Sequence, residues 1–337
     1  MTTVSIRVDS ADQVGEARRR AAALASSLRL DETTAGRLAL VVTECANNVL
    51  KHAKGGEILL NALPLEYAGV DVLALDSGPG MGQVARCFED GYSTAGSAGT
   101  GLGAIERLST ECEVYTAEGK GTAILARVMR AGARRSTAHE FFDTGGVCVP
   151  MERETECGDG FAVEQSNGIY RVLVADGLGH GPAAADCANA AIGVFRESSA
   201  TGPADLMQEV HCALRSTRGA AVAIGFIDVA RRELRYAGVG NISGFLWRNG
   251  NPRHLLSHPG IVGHDMKTLR EVPYELGPNA LLLLYSDGIT THWSLDSYEG
   301  LLSRDPTLIA GVVYRDHSRR RDDATVVVLR EKSGHER

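Results

Sequence analysis

Two glycine clusters set the strongest constraint on how this chain can fold. The first, DSGPGM at positions 76–81, follows the apolar run VDVLAL directly. The second, GTGLGA at 99–104, opens LGAIERL, which has the pattern of a helix. Glycine lets the backbone pass close to a phosphate and take up positive φ, and a helix N-terminus offers free N–H groups to an anion. Asp76 ends the predicted strand, where its carboxylate can accept a hydrogen bond from an amino group such as that of adenine. Taken alone, GTGLGA is as well explained by a glycine-rich turn. No Gly-Lys-Ser/Thr follows it, and no strand leads directly into it, so it is neither a Walker loop nor a dinucleotide fingerprint. An upstream partner, ECANNVLKHA at 44–53, gives it weight.

The 337 residues suffice for two domains with full cores, and 44% hydrophobic with 23% charged residues is the balance of a soluble globular protein. A net charge of -7 without a long basic run argues against a nucleic-acid partner. Seven cysteines (45, 87, 112, 148, 157, 187 and 212) contain no CxxC pair, which suggests reduced thiols and no zinc site. MTTVSIRVDS lacks an apolar signal core and no run is long enough to cross a bilayer, so the expected location is the cytoplasm, away from membranes.

Val4, Ile6 and Val8 alternate as in a short strand, and Asp9 or Ser10 can cap a helix over roughly 11–28. A second helix is expected over about 32–51, with Leu38, Val41, Val42, Cys45 and Val49 as its buried stripe. On another face Glu44 and Asn48 stand four apart, one turn from each other. A carboxylate and a carboxamide so placed can position a hydroxyl and complete a Mg(II) shell with phosphate oxygens, although an isolated Glu-x-x-x-Asn is ordinarily a polar helix face. Residues 112–118 and 121–129 read as two strands of a hairpin across EGKG. Lys51 and His52 read as solvated.

A helix bearing ECANN, a strand ending DSGPGM, a variable lid and GTGLG opening a helix together resemble the N, G1 and G2 boxes of the GHKL ATPases. Within them the chain is most similar to the serine kinases of bacterial partner switches, of the RsbT and RsbW type, over residues 1 to 130; FEDGYSTAGSAGTGLGAIERL is particularly RsbT-like. The resemblance implies a two-layer α/β sandwich of Bergerat type that binds ATP with Mg(II). By the same resemblance Glu44 would be the general base and Asn48 the Mg(II) ligand. Asp76 would bind the adenine amino group, and Gly78, Gly80, Gly99, Thr100, Gly101 and Gly103 would shape the nucleotide pocket, under a short lid at 82–98.

RAGARRSTAH has no apolar period, and residues 131–139 read as a linker. The second half alternates strand-like runs with helix-like stretches, GPAAADCANAAIGVF, 203–216 and 306–318, before a final strand, ATVVVLRE. Many strands with helical pairs suggest packed sheets flanked by helices. Acidic residues stand at strand ends or turns: Asp159, Asp176, Asp287, and Asp322 with Asp323. Hard divalent cations take oxygen ligands from several elements, and an aspartate beside a glycine frees a backbone carbonyl as another ligand. Two such ions can bind a phosphate ester and activate a water for in-line attack. Each Asp-Gly alone is a turn signal.

The order GD, ADGLGHGPAA, GVGNI, YSDGIT, DDATVVV resembles the SpoIIE and RsbX branch of the metal-dependent protein phosphatases, the PPM family, over residues 140–331, leaving 332–337 as a tail. That resemblance implies a four-layer α-β-β-α sandwich holding two Mn(II) or Mg(II) ions. Asp176 would bridge the ions, Asp159 and the Gly177 carbonyl would hold one, and Asp287 and Asp322 the other, with Asp323 the alternative to Asp322. No motif assigns His180 or His292, and Asn241 in GVGNIS reads as a turn former. The familiar phosphate-binding arginine of the larger eukaryotic enzymes has no identifiable counterpart. Joined, the two resemblances imply a kinase and a phosphatase acting on serine or threonine of STAS-domain proteins, with a sigma factor or downstream effector as a further partner. A different class stays open, in which the first domain is a nucleotide-gated binding module that regulates the phosphatase.

Overall fold

The structure is a computed structural model that describes residues 3–53, 55–63, 68–82, 101–130, 132–133, 141–248, 250–267 and 269–332. The chain divides into two compact units, one of Thr3–Ser136 with Leu295–Arg315 and one of Thr137–Ser294 with Asp316–Arg337. Most of the expected linker, 131–139, and most of the expected lid, 82–98, lie outside the described residues.

The first unit is built on a five-stranded antiparallel sheet of order β1-β2-β3-β5-β4: β1 Val4–Val8, β2 Gly56–Ala62, β3 Gly69–Asp76, β4 Glu111–Thr116 and β5 Thr122–Met129. Helices α1 (Ala11–Ser27), α2 (Glu32–Asn48) and α3 (Gly101–Leu108) cover one face. Local chemistry sets their starts. The Ser10 N–H donates to Gln13 Oε1 at 2.8 Å ahead of α1, and Asp31 caps α2 by accepting from the Thr34 N–H at 2.9 Å. The stripe Leu38, Val41, Val42, Cys45 and Val49 is buried as expected, against Ile58, Leu60, Val72 and Ile124.

Residues of opposite parity on the same strands, Leu59, Leu73, Leu75 and Leu125, are buried too. Against two of them packs α6 (Pro306–His317), where a Cβ on Gly311 would lie 3.2 Å from Leu73 and 3.4 Å from Leu75. Burial on both faces explains why GVDVLALD reads as an apolar run rather than an alternation. The helix at 306–318 forms close to its expected bounds, but through Arg315 it belongs to this unit and not to the C-terminal one.

The second unit holds two five-stranded sheets. One has the order β13-β10-β9-β8-β7, from β7 Asp159–Ser166, β8 Ile169–Gly177, β9 Ala220–Asp228, β10 Glu233–Val239 and β13 Val272–Glu275. The other has the order β12-β11-β14-β15-β6, from β6 Phe142–Val149, β11 Ser243–Arg248, β12 Asn251–His254, β14 Leu281–Tyr285 and β15 Ala324–Glu331. Their inner faces share a core that includes Tyr170, Val172, Tyr236, Leu246, Leu282 and Val327. Helices α4 (Pro182–Glu197) and α5 (Pro203–Ala213) cover the outer face of the first sheet through Ala188, Ile192, Phe195, Leu206 and Val210.

Candidate nucleotide and metal sites

In the first unit the candidate nucleotide residues gather where β3 ends. Asp76 Oδ1 accepts from the Gly78 N–H at 2.8 Å and from the Thr122 N–H at 3.1 Å, so β5 and the DSGPG turn both orient the carboxylate. Burial pushes its pKa up, against these two hydrogen bonds and the positive charge of Arg315. Gly80 sits at φ +74°, and a Cβ there would meet the Ala117 carbonyl at 2.2 Å, so this position needs glycine on both counts. The turn is held to the β4–β5 hairpin by the Met81 N–H, which donates to Thr116 Oγ1 at 2.9 Å.

Glu44 and Asn48 occupy neighbouring turns of α2, both half-buried. The α-helix ends at Asn48, short of the expected Lys51, and Val49–Ala53 continues as a π-helical turn carrying Lys51 and His52. Single π turns within helices concentrate at functional sites. Here the turn delivers Ala53 to the Gly78 backbone, where a Cβ on Gly78 would lie 2.8 Å from that of Ala53. Asn48 Oδ1 faces the start of α3, 3.0 Å from where a Cβ of Gly101 would stand. Gly103 is buried within α3. Gly99 and Thr100 lie outside the described residues. At Gly78, Gly80 and Gly101 the lack of a side chain lets neighbouring segments approach closely, near a carboxamide and an oriented carboxylate. That arrangement fits a nucleotide with its divalent ion.

In the second unit Asp159 opens β7 and Asp176 nears the end of β8, directly opposite each other in the ladder. Asp287 follows β14, and Asp322 precedes β15. Four carboxylates from four strand ends are thus brought to one locality. Asp159 sits well above the usual carboxylate range, first through burial and then through the Asp176 charge. Asp176 is pushed up to about 8 by burial and by the charges of Asp287, Asp322 and Asp323. Burial and the Asp322 charge raise Asp287 as well, with Arg319 and Asn241 opposing. Carboxylates that destabilise one another in this way call for a cation.

Several partners fix these side chains. Ser286 Oγ donates to Asp159 Oδ2 at 2.6 Å and accepts from the Thr325 N–H at 2.9 Å. Asn241 Nδ2 donates to Asp287 Oδ2 at 2.7 Å, so this residue touches the acidic group as well as its turn. Asp322 and Asp323 divide their work. Asp323 is buried and accepts from the Met151 N–H at 2.7 Å and the Gly158 N–H at 2.9 Å, one backbone donor on each oxygen. Gly177 abuts α4, where a Cβ would meet the Ala184 carbonyl at 2.2 Å, and its own N–H donates to the Gly158 carbonyl. The two histidines engage neighbours other than the aspartates: His180 pairs with Glu154 at 2.8 Å, and His292 contacts Thr291. Ser286 and Asn241 were not marked as site residues by the sequence, although Ser286 immediately precedes Asp287 in YSDG.

Among the described residues no three His, Cys, Asp or Glu side chains stand as a preformed metal-binding group. The fit to divalent metal rests on the donors, all hard oxygens, and on their mutual repulsion.

Comparison with known proteins gives a separate match for each half of the sequence. Residues 8–128 match the family model of the histidine kinase-like ATPase domain, and residues 166–332 match that of stage II sporulation protein E (SpoIIE). The serine/threonine-protein kinase RsbT of Bacillus subtilis (strain 168) is 29% identical over 122 residues, covering 36% of this chain and 92% of RsbT. A solved structure from work on the bacterial stressosome, as a modular system adapted to control secondary messenger signalling, is 31% identical with a TM-score of 0.52, covering 56% of this chain and 99% of its own. RsbX in complex with magnesium aligns with a TM-score of 0.53 at 19% identity, over 58% of this chain and 97% of RsbX, a likeness of fold.

Proposed function

For a chain that matches the histidine kinase-like ATPase domain over residues 8–128 and stage II sporulation protein E over residues 166–332, we propose a two-activity regulator of a bacterial partner switch. The first domain, 1–130, transfers phosphate from ATP to a serine or threonine of a STAS-domain protein. The second, 140–331, hydrolyses a phosphorylated protein of that class, in the cytoplasm. The observation that carries this reading is the pairing, in one chain, of an Asp76 oriented by Gly78 and Thr122 and an Asn48 facing Gly101 with a cluster of four aspartates.

Asp76 reads the adenine amino group, with its Oδ1 anchored by Gly78 and Thr122. Asn48 would hold Mg(II) with ATP, and Glu44, one turn before it, takes the proton of the substrate hydroxyl. Gly78, Gly80, Gly99, Thr100, Gly101 and Gly103 admit the phosphates to the backbone. Such chemistry is positioning plus charge stabilisation. In the second domain Asp159, Asp176, the Gly177 carbonyl, Asp287 and Asp322 would hold two Mn(II) or Mg(II) ions. Bound there, the ions supply charge neutralisation at the phosphate and a water of lowered pKa. Ser286 orients Asp159 and Asn241 orients Asp287. Asp322 is favoured over Asp323 as ligand, because backbone donors already engage both oxygens of Asp323.

A second reading makes the first domain a nucleotide-gated module that controls the phosphatase, with STAS or sigma-factor binding as its output. The contact of Arg315 with the Asp76 carbonyl favours it. A phosphorylated STAS protein from the same genome tests the hydrolytic half. Release of phosphate is expected with Mn(II), to be lost on chelation and to return on re-addition. Release that survives chelation contradicts it.

A further inference from the structure

The longest excursion of the C-terminal half is α6, and the sheet it covers belongs to the candidate nucleotide domain. All residues from Pro306 to Arg315 are buried. Asp305 caps the helix by accepting from the Thr307 N–H at 2.8 Å, and its other oxygen pairs with Arg127 Nη1 at 3.3 Å. The Asp305 N–H donates to Glu113 Oε2 at 2.9 Å, which fixes the start of the helix to β4. Gly311 admits the helix close to Leu73 and Leu75. Near its end, Tyr314 Oη donates to Glu57 Oε1 at 3.0 Å, and Arg315 Nη1 donates to the main-chain carbonyl of Asp76 at 3.1 Å. Arg315 therefore buttresses the turn whose side chain is the candidate adenine ligand.

Immediately beyond Arg315 the chain enters the second unit and is bonded there at once. The Thr290 N–H donates to the His317 carbonyl at 2.9 Å, Ser318 bridges to Ile289, and the Arg319 N–H donates to the Gly288 carbonyl at 2.8 Å. The His317 ring stacks on Trp293 at 5.0 Å between centroids. Those bonds run along the segment that carries Asp287, and the same strand of chain then reaches Asp322, seven positions beyond Arg315. The chain is thus bonded at buried Arg315 to Asp76 within the first unit and, from His317 on, to the segments bearing two of the four aspartates within the second. A glycine at 288 lets them approach, since a Cβ there would lie 1.9 Å from the Asp323 carbonyl.

We propose that Arg315 is a positioning residue for the nucleotide pocket, and that α6 makes hydrolysis at the aspartate cluster respond to nucleotide bound at Asp76. The proposal rests on the two-site reading above and names how one site regulates the other. A nucleotide that shifts the Asp76 turn acts on Arg315, and movement of the end of α6 alters how Asp287 and Asp322 are presented. Nucleotide that changes metal affinity at the aspartates is matched by metal that changes nucleotide affinity by the same factor, a reciprocity of binding and not of turnover.

The test uses the full chain with Mn(II), para-nitrophenyl phosphate as a small ester that bypasses protein docking, and a non-hydrolysable ATP analogue. For wild type, saturating analogue is expected to change the hydrolysis rate by roughly fivefold or more, in either direction. Arg315→Ala is expected to bring the ratio of rates with and without analogue to one and to weaken analogue binding measured by calorimetry. Arg315→Lys, which keeps the charge, restores part of both. Analogue that binds wild type without changing the rate overturns the coupling and leaves the two activities standing. Should Arg315→Ala fail to fold, the wild-type ratio decides alone. If the ester is not hydrolysed at all, the hydrolytic reading fails. The coupling is then decided by analogue affinity at fixed Mn(II), which must differ between wild type and Asp176→Asn; equal affinities overturn it.

Discussion

Asp176 concentrates the electrostatics of the second unit, because three other aspartates act on its charge. Asp176→Asn keeps the size and removes that charge, so we expect phosphatase turnover to fall below detection and Mn(II) uptake, followed calorimetrically, to weaken. Asn241→Ala removes only the donor that orients Asp287, and a loss of about 10–100-fold in metal affinity or activity is expected. Turnover of Asn241→Ala equal to wild type would show that this hydrogen bond has no role in the site. The aspartates were legible because each is flanked by glycine or a strand end in sequence. Asn241 and Ser286 were not, since what marks them is proximity to Asp287 and Asp159, 46 and 127 positions away along the chain. The π turn after Asn48 was also hidden, as its apolar spacing matches that of the helix it continues.

At the scale of elements, the amphipathic helices and the long central strands follow from periodicity, and their bounds come within a few residues. The strands left out tell why. β12 and β13 are four-residue edge strands, NPRH and VPYE, each with a proline that breaks the usual pattern. The placement of α6 could not be read from its own residues, because an all-round apolar helix says that it is buried and not against what. The pairing is written instead in charges far apart in sequence. Arg127 is buried with Asp71, bonded through Nε at 2.7 Å and Nη2 at 3.0 Å, and with Asp305 of the segment leading into α6; Glu111 contributes as well. Arg127→Ala would remove the buried cation shared by Asp71 and Asp305. A destabilisation of about 3–5 kcal/mol is expected in denaturant melts. A loss below about 1 kcal/mol would mean that Arg127 does not hold α6 to the sheet.

For the molecule as a whole, the proposed pair of activities would only consume ATP if both acted freely on one phosphosite. The proposal therefore requires either two different substrates or control by a partner or nucleotide, and the chain crossing between units at 294–295 and 315–316 offers a covalent route for the second. Among the described residues no helix is long and apolar enough to cross a membrane. The two-domain plan was legible from motif order alone, since each motif set is local to its half. The return of Leu295–Arg315 to the first unit was not, being a property of tertiary packing.

The most direct measurement of the central claim is transfer of labelled phosphate from ATP to a panel of STAS-domain proteins from the same genome, with wild type, Glu44→Ala and Asp176→Ala, with and without Mn(II). The expected result is label on a STAS protein that is absent with Glu44→Ala and accumulates with Asp176→Ala when both sites serve one substrate. No label on any STAS protein, while ATP and a partner still bind, would contradict the kinase half and leave a nucleotide-gated phosphatase.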